Sequence, residues 1–462
     1  MRPLREAPSG GTPAHSIRDA GAQTDNAQRT TARRQAPVRC LWRGSTVGAL
    51  RLMRIPAWLP FLAVVVAALV MSFPPPQHPA QLVKLFPDSV TYLNWSHGRP
   101  PTPSLFYAVV RSGTAICIVQ TVLSVLAWTT FGWMALGLPG AVLAAALAVS
   151  LPVALWNYTV LSEPLTLSLG AGLCATTLAL GRRWSGPRFA AWAACALLFT
   201  GVRVENFVIV PLFCAPLMVW HRARWRPLAA VGAVSAIMFL VFGIRLDKQT
   251  SNWQTRMTNV VLTRILMDPH LLAEFQSRGL PNDPVMTAHR GRLLMYYDNQ
   301  FRAQSPQFQR WLDEESRDTY VRWLATLEPH RLLIASMDHV TARITNGYYM
   351  GGVVYRSATQ RLIGLYDAVA VPFRYWKWLA VVPLLCAAVT GRILFADLVA
   401  LAYLAAVYVL AFVVFHADTG ELDRHMSLVA ALYRMAPVVV LGCAWERVAV
   451  FGRAWRVPPQ AA

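Results

Sequence analysis

Residues 189–220 read FAAWAACALLFTGVRVENFVIVPLFCAPLMVW. Two apolar runs, Phe189–Thr200 and Phe207–Trp220, flank Arg203 and Glu205, two charges in an otherwise apolar stretch of 32 residues. Neither run alone crosses about 30 Å of hydrocarbon upright at about 1.5 Å of rise per residue. The stretch is therefore one long tilted span or two short ones, and the arginines on either side decide. With two spans, Arg182, Arg183 and Arg188 share a side with Arg222, Arg224 and Arg226. With one, the two clusters face opposite sides, against the tendency of Arg-rich short loops to stay cytoplasmic. Two spans it is.

Eight further apolar runs lie outward of this stretch: Ile55–Phe73, Ser112–Trp133, Leu138–Trp156, Glu163–Leu180, Pro227–Ile244, Pro372–Thr390, Ile393–Phe415 and Met426–Trp445. The expected fold is an all-α polytopic membrane protein of about ten transmembrane helices with a large, mainly helical extracytoplasmic loop. Residues 1–54 read as a disordered basic cytoplasmic tail, and 55–244 as transmembrane helices 1–7 with the first outer loop at 74–106. Residues 245–371 form the extracytoplasmic loop subdomain, 372–445 transmembrane helices 8–10, and 446–462 a second cytoplasmic tail. Within the long loop, Phe308–Leu327 has a helical pattern and Pro281-Asn282-Asp283-Pro284 a turn signal.

Composition agrees. Of 462 residues, 55% are hydrophobic and 14% charged, against about 25% charged in soluble domains. Charge in hydrocarbon costs at least a few kcal/mol, roughly 2.5–3.5 by insertion scales, so spans exclude it. The net charge of +20 does not point to nucleic acid, because the basic residues border apolar runs and there act as topology determinants and headgroup anchors. Nearly all of those basic residues are arginine, a bias associated with GC-rich bacterial coding sequences, so the expected location is the bacterial cytoplasmic membrane. The cysteines avoid the long loop, and no disulfide framework or zinc-ligand spacing is visible.

Under this topology Asp88, Glu163, Arg203, Glu205, Asp423, Arg424 and His425 all map to the outer face. Carboxylates beside Arg and His at the mouth of a helix bundle suit a phosphorylated lipid: a carboxylate takes a proton from a hydroxyl, and the cations hold phosphate. Each residue also has a plainer reading. Asp88 can cap an amphipathic helix carrying Tyr92 and Leu93. Glu163, after Ser162 and before Pro164, can serve the positive end of a helix dipole. Arg203 can snorkel, although residues i and i+2 do not face each other on a regular helix, so an Arg203–Glu205 pair is not expected there. Asp418, Glu421, Asp423, Arg424 and His425 can be solvated loop charge, with Arg424 the best candidate among them for a phosphate contact. In the long loop, the Asp268/His270 and Asp338/His339 pairs read as surface decoration before metal or acid–base sites.

The order of these motifs resembles the GT-C superfamily, multispanning glycosyltransferases that use polyprenyl-phosphate-linked sugars. Asp88-Ser89-Val90-Thr91-Tyr92 followed by Arg99-Pro100-Pro101 resembles their first outer loop. Ser162-Glu163 resembles their Ser/Thr-Glu helix start, Arg203-Val204-Glu205 their Arg-Pro-Glu junction, and Asp423-Arg424-His425 their acidic-Arg-aromatic loop. Val204 stands where the family has Pro, and His425 where it has Tyr or Phe.

The resemblance implies that Asp88 is the general base and that Glu163 orients the acceptor or supports an arginine. Arg203, Arg424 and His425 would bind the departing phosphate, with Tyr92, Glu205 and Asp423 supporting. The donor would be a polyprenyl-phosphate sugar and the acceptor a cell-envelope glycan, lipid or protein. No cofactor is required and no metal ligand is assigned, although the shared face of Asp88 and Glu163 leaves room for a divalent metal. Both termini would be cytoplasmic and the active site extracytoplasmic. The competing readings are a transporter or flippase of lipid-linked glycans, a membrane acyltransferase using His97 or His425, and an envelope-assembly protein without transferase activity.

Overall fold

The computed structural model describes residues 56, 58–73, 85–94, 99–250, 252–293, 301, 303–344, 371–417 and 422–454. The tail 1–54, His97, the pair Asp418 and Glu421, and the side chains of Asp338, His339 and Asp423 lie outside the described residues. Every regular element among the described residues is a helix. The chain is all-α.

Five helical segments are long and apolar enough to cross a membrane: Gly113–Val149, Glu163–Arg182, Arg222–Phe242, Phe395–Ala417 and Arg424–Val450. Others expected as spans are shorter, among them Trp58–Ser72 and Trp376–Thr390 at 15 residues each. The pair around Arg203 forms as two helices, Gly186–Thr200 and Ile209–Trp220. The break between them is built in. A Cβ on Gly201 would lie 2.4 Å from the Thr102 hydroxyl oxygen. Thr102 donates from its backbone N to the Gly201 carbonyl and from its hydroxyl to the Leu198 carbonyl, both at 3.0 Å.

The Gly113–Val149 segment contains a reversal. Gly137 has φ 70° and ψ −147°, a conformation open to glycine. A Cβ on Gly132 would lie 2.1 Å from the Gly140 carbonyl oxygen, whereas residues eight apart on a straight helix are about 12 Å apart. The chain therefore folds back into a helical hairpin, matching the two expected runs Ser112–Trp133 and Leu138–Trp156. The second arm stops at Val149 rather than Trp156 and continues as short turns through Leu155–Tyr158. The expected Met426–Trp445 span is likewise two helices, Leu422–Tyr433 and Ala436–Ala454, joined at Arg434 and Met435.

Helix surfaces divide as a lipid-facing bundle requires. Trp58–Ser72 buries Val65 and Ala68 against Val125, Ala145 and Val149, and exposes Leu59, Leu62, Val66 and Val70 at helical spacing. Trp225–Thr250 exposes Val234, Ile237 and Val241 in the same way. Contiguous apolar stripes of this kind are stable against hydrocarbon and a liability in water.

The long loop has its own core, in which Phe275, Phe308, Trp311, Tyr320 and Trp323 pack with Val261 and Leu312. The pattern over Phe308–Leu327 resolves into two helices, Pro306–Glu314 and Ser316–Leu324. Asp283, in the expected turn, caps Pro284–Ala288 through the Val285 N–H at 2.8 Å. Asp268 caps Pro269–Gln276, which gives it a structural role in place of pairing with the His270 ring. This subdomain meets the bundle at the end of Phe395–Ala417. Tyr320 donates to the His416 carbonyl at 2.9 Å, the His416 ring meets the Pro329 carbonyl at 3.1 Å, and His330 meets the Tyr408 hydroxyl at 2.6 Å.

Candidate active site

Glu163 opens the Glu163–Arg182 helix, with Pro164 in its first turn. Proline without an N–H suits that position, and a carboxylate is favoured at the positive helix end. In the segment leading into it, between the expected runs Leu138–Trp156 and Glu163–Leu180, Asn157, Thr159 and Ser162 are all buried. Its carbonyls are held from above. Ser89 donates to Val160 at 2.8 Å and Tyr107 to Leu161 at 2.6 Å. The Gln120 amide nitrogen, in the orientation that satisfies its neighbours, donates to Asn157 at 2.8 Å and Thr159 at 3.2 Å. Ser89, Tyr107 and Gln120 thus fix the backbone that aims Glu163.

Asp88 does not cap its helix. Pro87–Leu93 has Phe86 at the N-cap position, and the Ser89 hydroxyl accepts from the Phe86 N–H at 2.8 Å. Asp88 stands in the first turn with its carboxylate free to reach sideways. Arg99 donates to its Oδ1 at 2.5 Å and Arg424 to its Oδ2 at 3.3 Å.

Arg424 continues to Glu163, donating from Nε to Oε1 at 2.7 Å. The same oxygen lies 3.6 Å from His425 Nε2 and 3.9 Å from Arg203 Nη1. Ser162 donates to the other oxygen at 3.3 Å. Arg203 also meets Glu205, Nε to Oε2 at 3.6 Å. The helical argument against that pair fails because Arg203 is extended, at φ −147° and ψ 144°, just before the short helix Val204–Val208. Arg203 Nη1 is buried without a hydrogen-bond partner.

The two carboxylates have different surroundings. The Glu163 side chain is 0% exposed and lies against two guanidinium groups and the His425 ring; that of Asp88 is 31% exposed. A buried carboxylate is tolerated only when matched by charge and hydrogen bonds. Glu163 is so matched, and its charge orients Arg424. Asp88 remains accessible to a substrate. Tyr92 is buried beside them, and burial first, then the Glu163 charge, pushes its hydroxyl above the ordinary value. It stays a neutral proton donor.

Six of the sequence-derived site residues converge here: Asp88, Glu163, Arg203, Glu205, Arg424 and His425, with Tyr92 buried alongside. Arg99 belongs to the same cluster and received no role from the sequence. Its signal in the sequence was the Arg99-Pro100-Pro101 motif, which begins eleven residues after Asp88. Among the described residues no three His, Cys, Asp or Glu side chains group as metal ligands. The cluster carboxylates face guanidinium groups, an arrangement suited to exchanging anions. No family model, curated protein or solved structure compared with the chain matches it.

Proposed function

We propose that the protein is a membrane glycosyltransferase moving a sugar from a polyprenyl-phosphate donor to a cell-envelope glycan, lipid or protein acceptor. The observation that carries the reading is the partly open Asp88 carboxylate beside Arg424, with Arg203 one Glu163 oxygen away. A base and a phosphate-binding group must act together on one glycosidic bond, and here both lie within hydrogen-bond reach of a single cluster.

In the proposed reaction the acceptor hydroxyl gives its proton to Asp88. Its oxygen bonds to the anomeric carbon with inversion as the carbon–oxygen bond to phosphate breaks. The bonding pair leaves on the phosphate oxygen, whose charge Arg203, Arg424 and His425 stabilise. Glu163 positions Arg424, and Glu205 positions Arg203. The sugar arrives activated, so the reaction needs no nucleotide or redox cofactor.

In this reading the chain spans the bacterial cytoplasmic membrane about ten times, with both termini inside and the cluster at the outer edge. The shorter helices then cross tilted or where the bilayer is locally thin. The loop subdomain lies on the outer side and covers the site.

The test is reconstitution of the full chain in liposomes with a panel of polyprenyl-phosphate sugars labelled in the sugar. Label transferred to an envelope-fraction acceptor, and lost in Asp88→Asn, is the expected result. Labelled donor crossing the bilayer without transfer would make the protein a flippase and end this reading.

A further inference from the structure

The Asp88 carboxylate has both oxygens in use, Oδ1 by Arg99 and Oδ2 by Arg424. A base engaged in this way is poorly placed to take a proton from a hydroxyl. The two arginines differ in how they are held. Arg424 is buried and fixed by Glu163, with a side chain 5% exposed; that of Arg99 is 29% exposed. Arg99 has two other anchors. Its Nε donates to the Thr91 hydroxyl at 2.7 Å, and its guanidinium lies 4.9 Å over the Tyr92 ring. Thr91 and Tyr92 hold the root of the group while Nη2 reaches Asp88, so Nη2 can leave Asp88 without releasing the pivot.

Charge balance gives a reason to move. Among the described ion pairs of the cluster, Asp88, Glu163 and Glu205 oppose Arg99, Arg203 and Arg424, so each guanidinium that an incoming phosphate meets already faces a carboxylate. It has to take one from a carboxylate, and the most exposed pair in the cluster is Arg99–Asp88. Guanidinium binds phosphate oxygens with the same fork that it offers to carboxylate, so the exchange is chemically even.

We propose that Arg99 is a latch on Asp88 that the donor's phosphate opens. Resting on the transferase reading above, this makes the base available only when the lipid phosphate is in place. Arg99 turns from Oδ1 to the phosphate; Oδ1 then accepts the acceptor's proton. As Asp88 becomes neutral, the departing phosphate gains the negative charge that Arg99 now faces.

The experiment is carbodiimide-driven coupling of glycine ethyl ester to Asp88 in the detergent-solubilised full chain, read by peptide mass spectrometry at one pH. Farnesyl phosphate is the probe; farnesol and inorganic phosphate are the controls, and a thermal shift reports binding. Farnesyl phosphate should raise Asp88 labelling roughly fivefold or more, the lower end of ordinary coupling between two ligands. Farnesol should leave it unchanged. Arg99→Gln, with a melting temperature near that of the parent, should be labelled at the higher level without probe and respond no further. Arg99→Lys, which keeps the charge, serves as the folding control if the Gln variant is unstable, and should respond to the probe. A rise with inorganic phosphate alone would support the latch and assign its trigger to any phosphate. If farnesyl phosphate shifts the melting temperature but labelling stays level or falls, the latch is wrong and the donor site stands. If it produces neither effect, both readings are overturned.

Discussion

Arg424 donates to Glu163 at 2.7 Å and to Asp88 at 3.3 Å, although 261 and 336 positions separate it from them in the chain. One guanidinium thus joins the start of a buried helix to the short helix Pro87–Leu93 and ties both to the last third of the protein. Its rigid fork can hold two carboxylates at once, and the deeper of them is buried with Arg424, Arg203 and His425 around it.

Removing Arg424 should therefore damage stability and activity together. Arg424→Gln leaves Glu163 buried with its shortest partner gone, and breaking such a pair costs roughly 3–5 kcal/mol. The expected outcome is a clear drop in melting temperature in detergent and loss of transfer. Arg424→Lys should recover part of the stability and little activity, because a point charge cannot span both carboxylates. Full recovery with Lys would show that the fork is not what matters.

Asp88→Asn should separate the two effects. Asp88 is partly exposed and keeps a hydrogen-bonding amide after the change, so the melting temperature should stay close to that of the parent. Transfer should fall by about 10²–10⁴, the usual contribution of a general base. A variant retaining parental turnover would remove Asp88 from the chemistry.

Two residues that touch no proposed substrate should still affect turnover. Ser89 and Tyr107 hold the Val160 and Leu161 carbonyls just ahead of Glu163. Ser89→Ala and Tyr107→Phe should each cost about 1 kcal/mol of stability and lower transfer through misplacement of Glu163. Their combination should fall short of additivity, since both act on one short segment. Simple additivity in melting temperature and in rate would argue that the two bonds work independently.

Contact of the loop subdomain with the bundle should weaken in alkali. Burial pushes the Tyr320 hydroxyl from 10.0 up to about 12, against a smaller opposing pull from Arg264. A raised folded value means that the contribution of Tyr320 is complete below about pH 10 and is lost as the pH climbs through about 12. Limited proteolysis of the loop should accelerate across that window. Tyr320→Phe, which lacks the bond to the His416 carbonyl, should cleave faster at neutral pH and lose this part of the pH dependence.

Much of the architecture was legible without coordinates. Apolar runs marked the helices, and Arg203 and Glu205 marked the break at 201–208, because charge and hydrocarbon are incompatible whatever the tertiary fold. Gly137 and Pro139 fall where the chain reverses, and Pro164 falls in the first turn of its helix. Helix ends were less legible. The arm ending at Val149 and the break at Arg434 each lie just ahead of a proline, Pro152 and Pro437, inside runs that hydropathy reads as continuous, and the approach of Gly201 to Thr102 is a contact that a hydropathy run cannot register.

By itself the sequence determined that this protein is helical and that several of its helices are apolar enough for a membrane, since hydrophobicity and the local effects of Gly and Pro act residue by residue. Only the tertiary structure decided which carboxylate is sealed and which is open, that Arg203 reaches Glu205 from an extended backbone, and that Arg99 joins the cluster. Those facts depend on burial and on distances of a few ångströms between segments far apart in the chain. Charge and desolvation energies change steeply over such distances, and no local pattern encodes them.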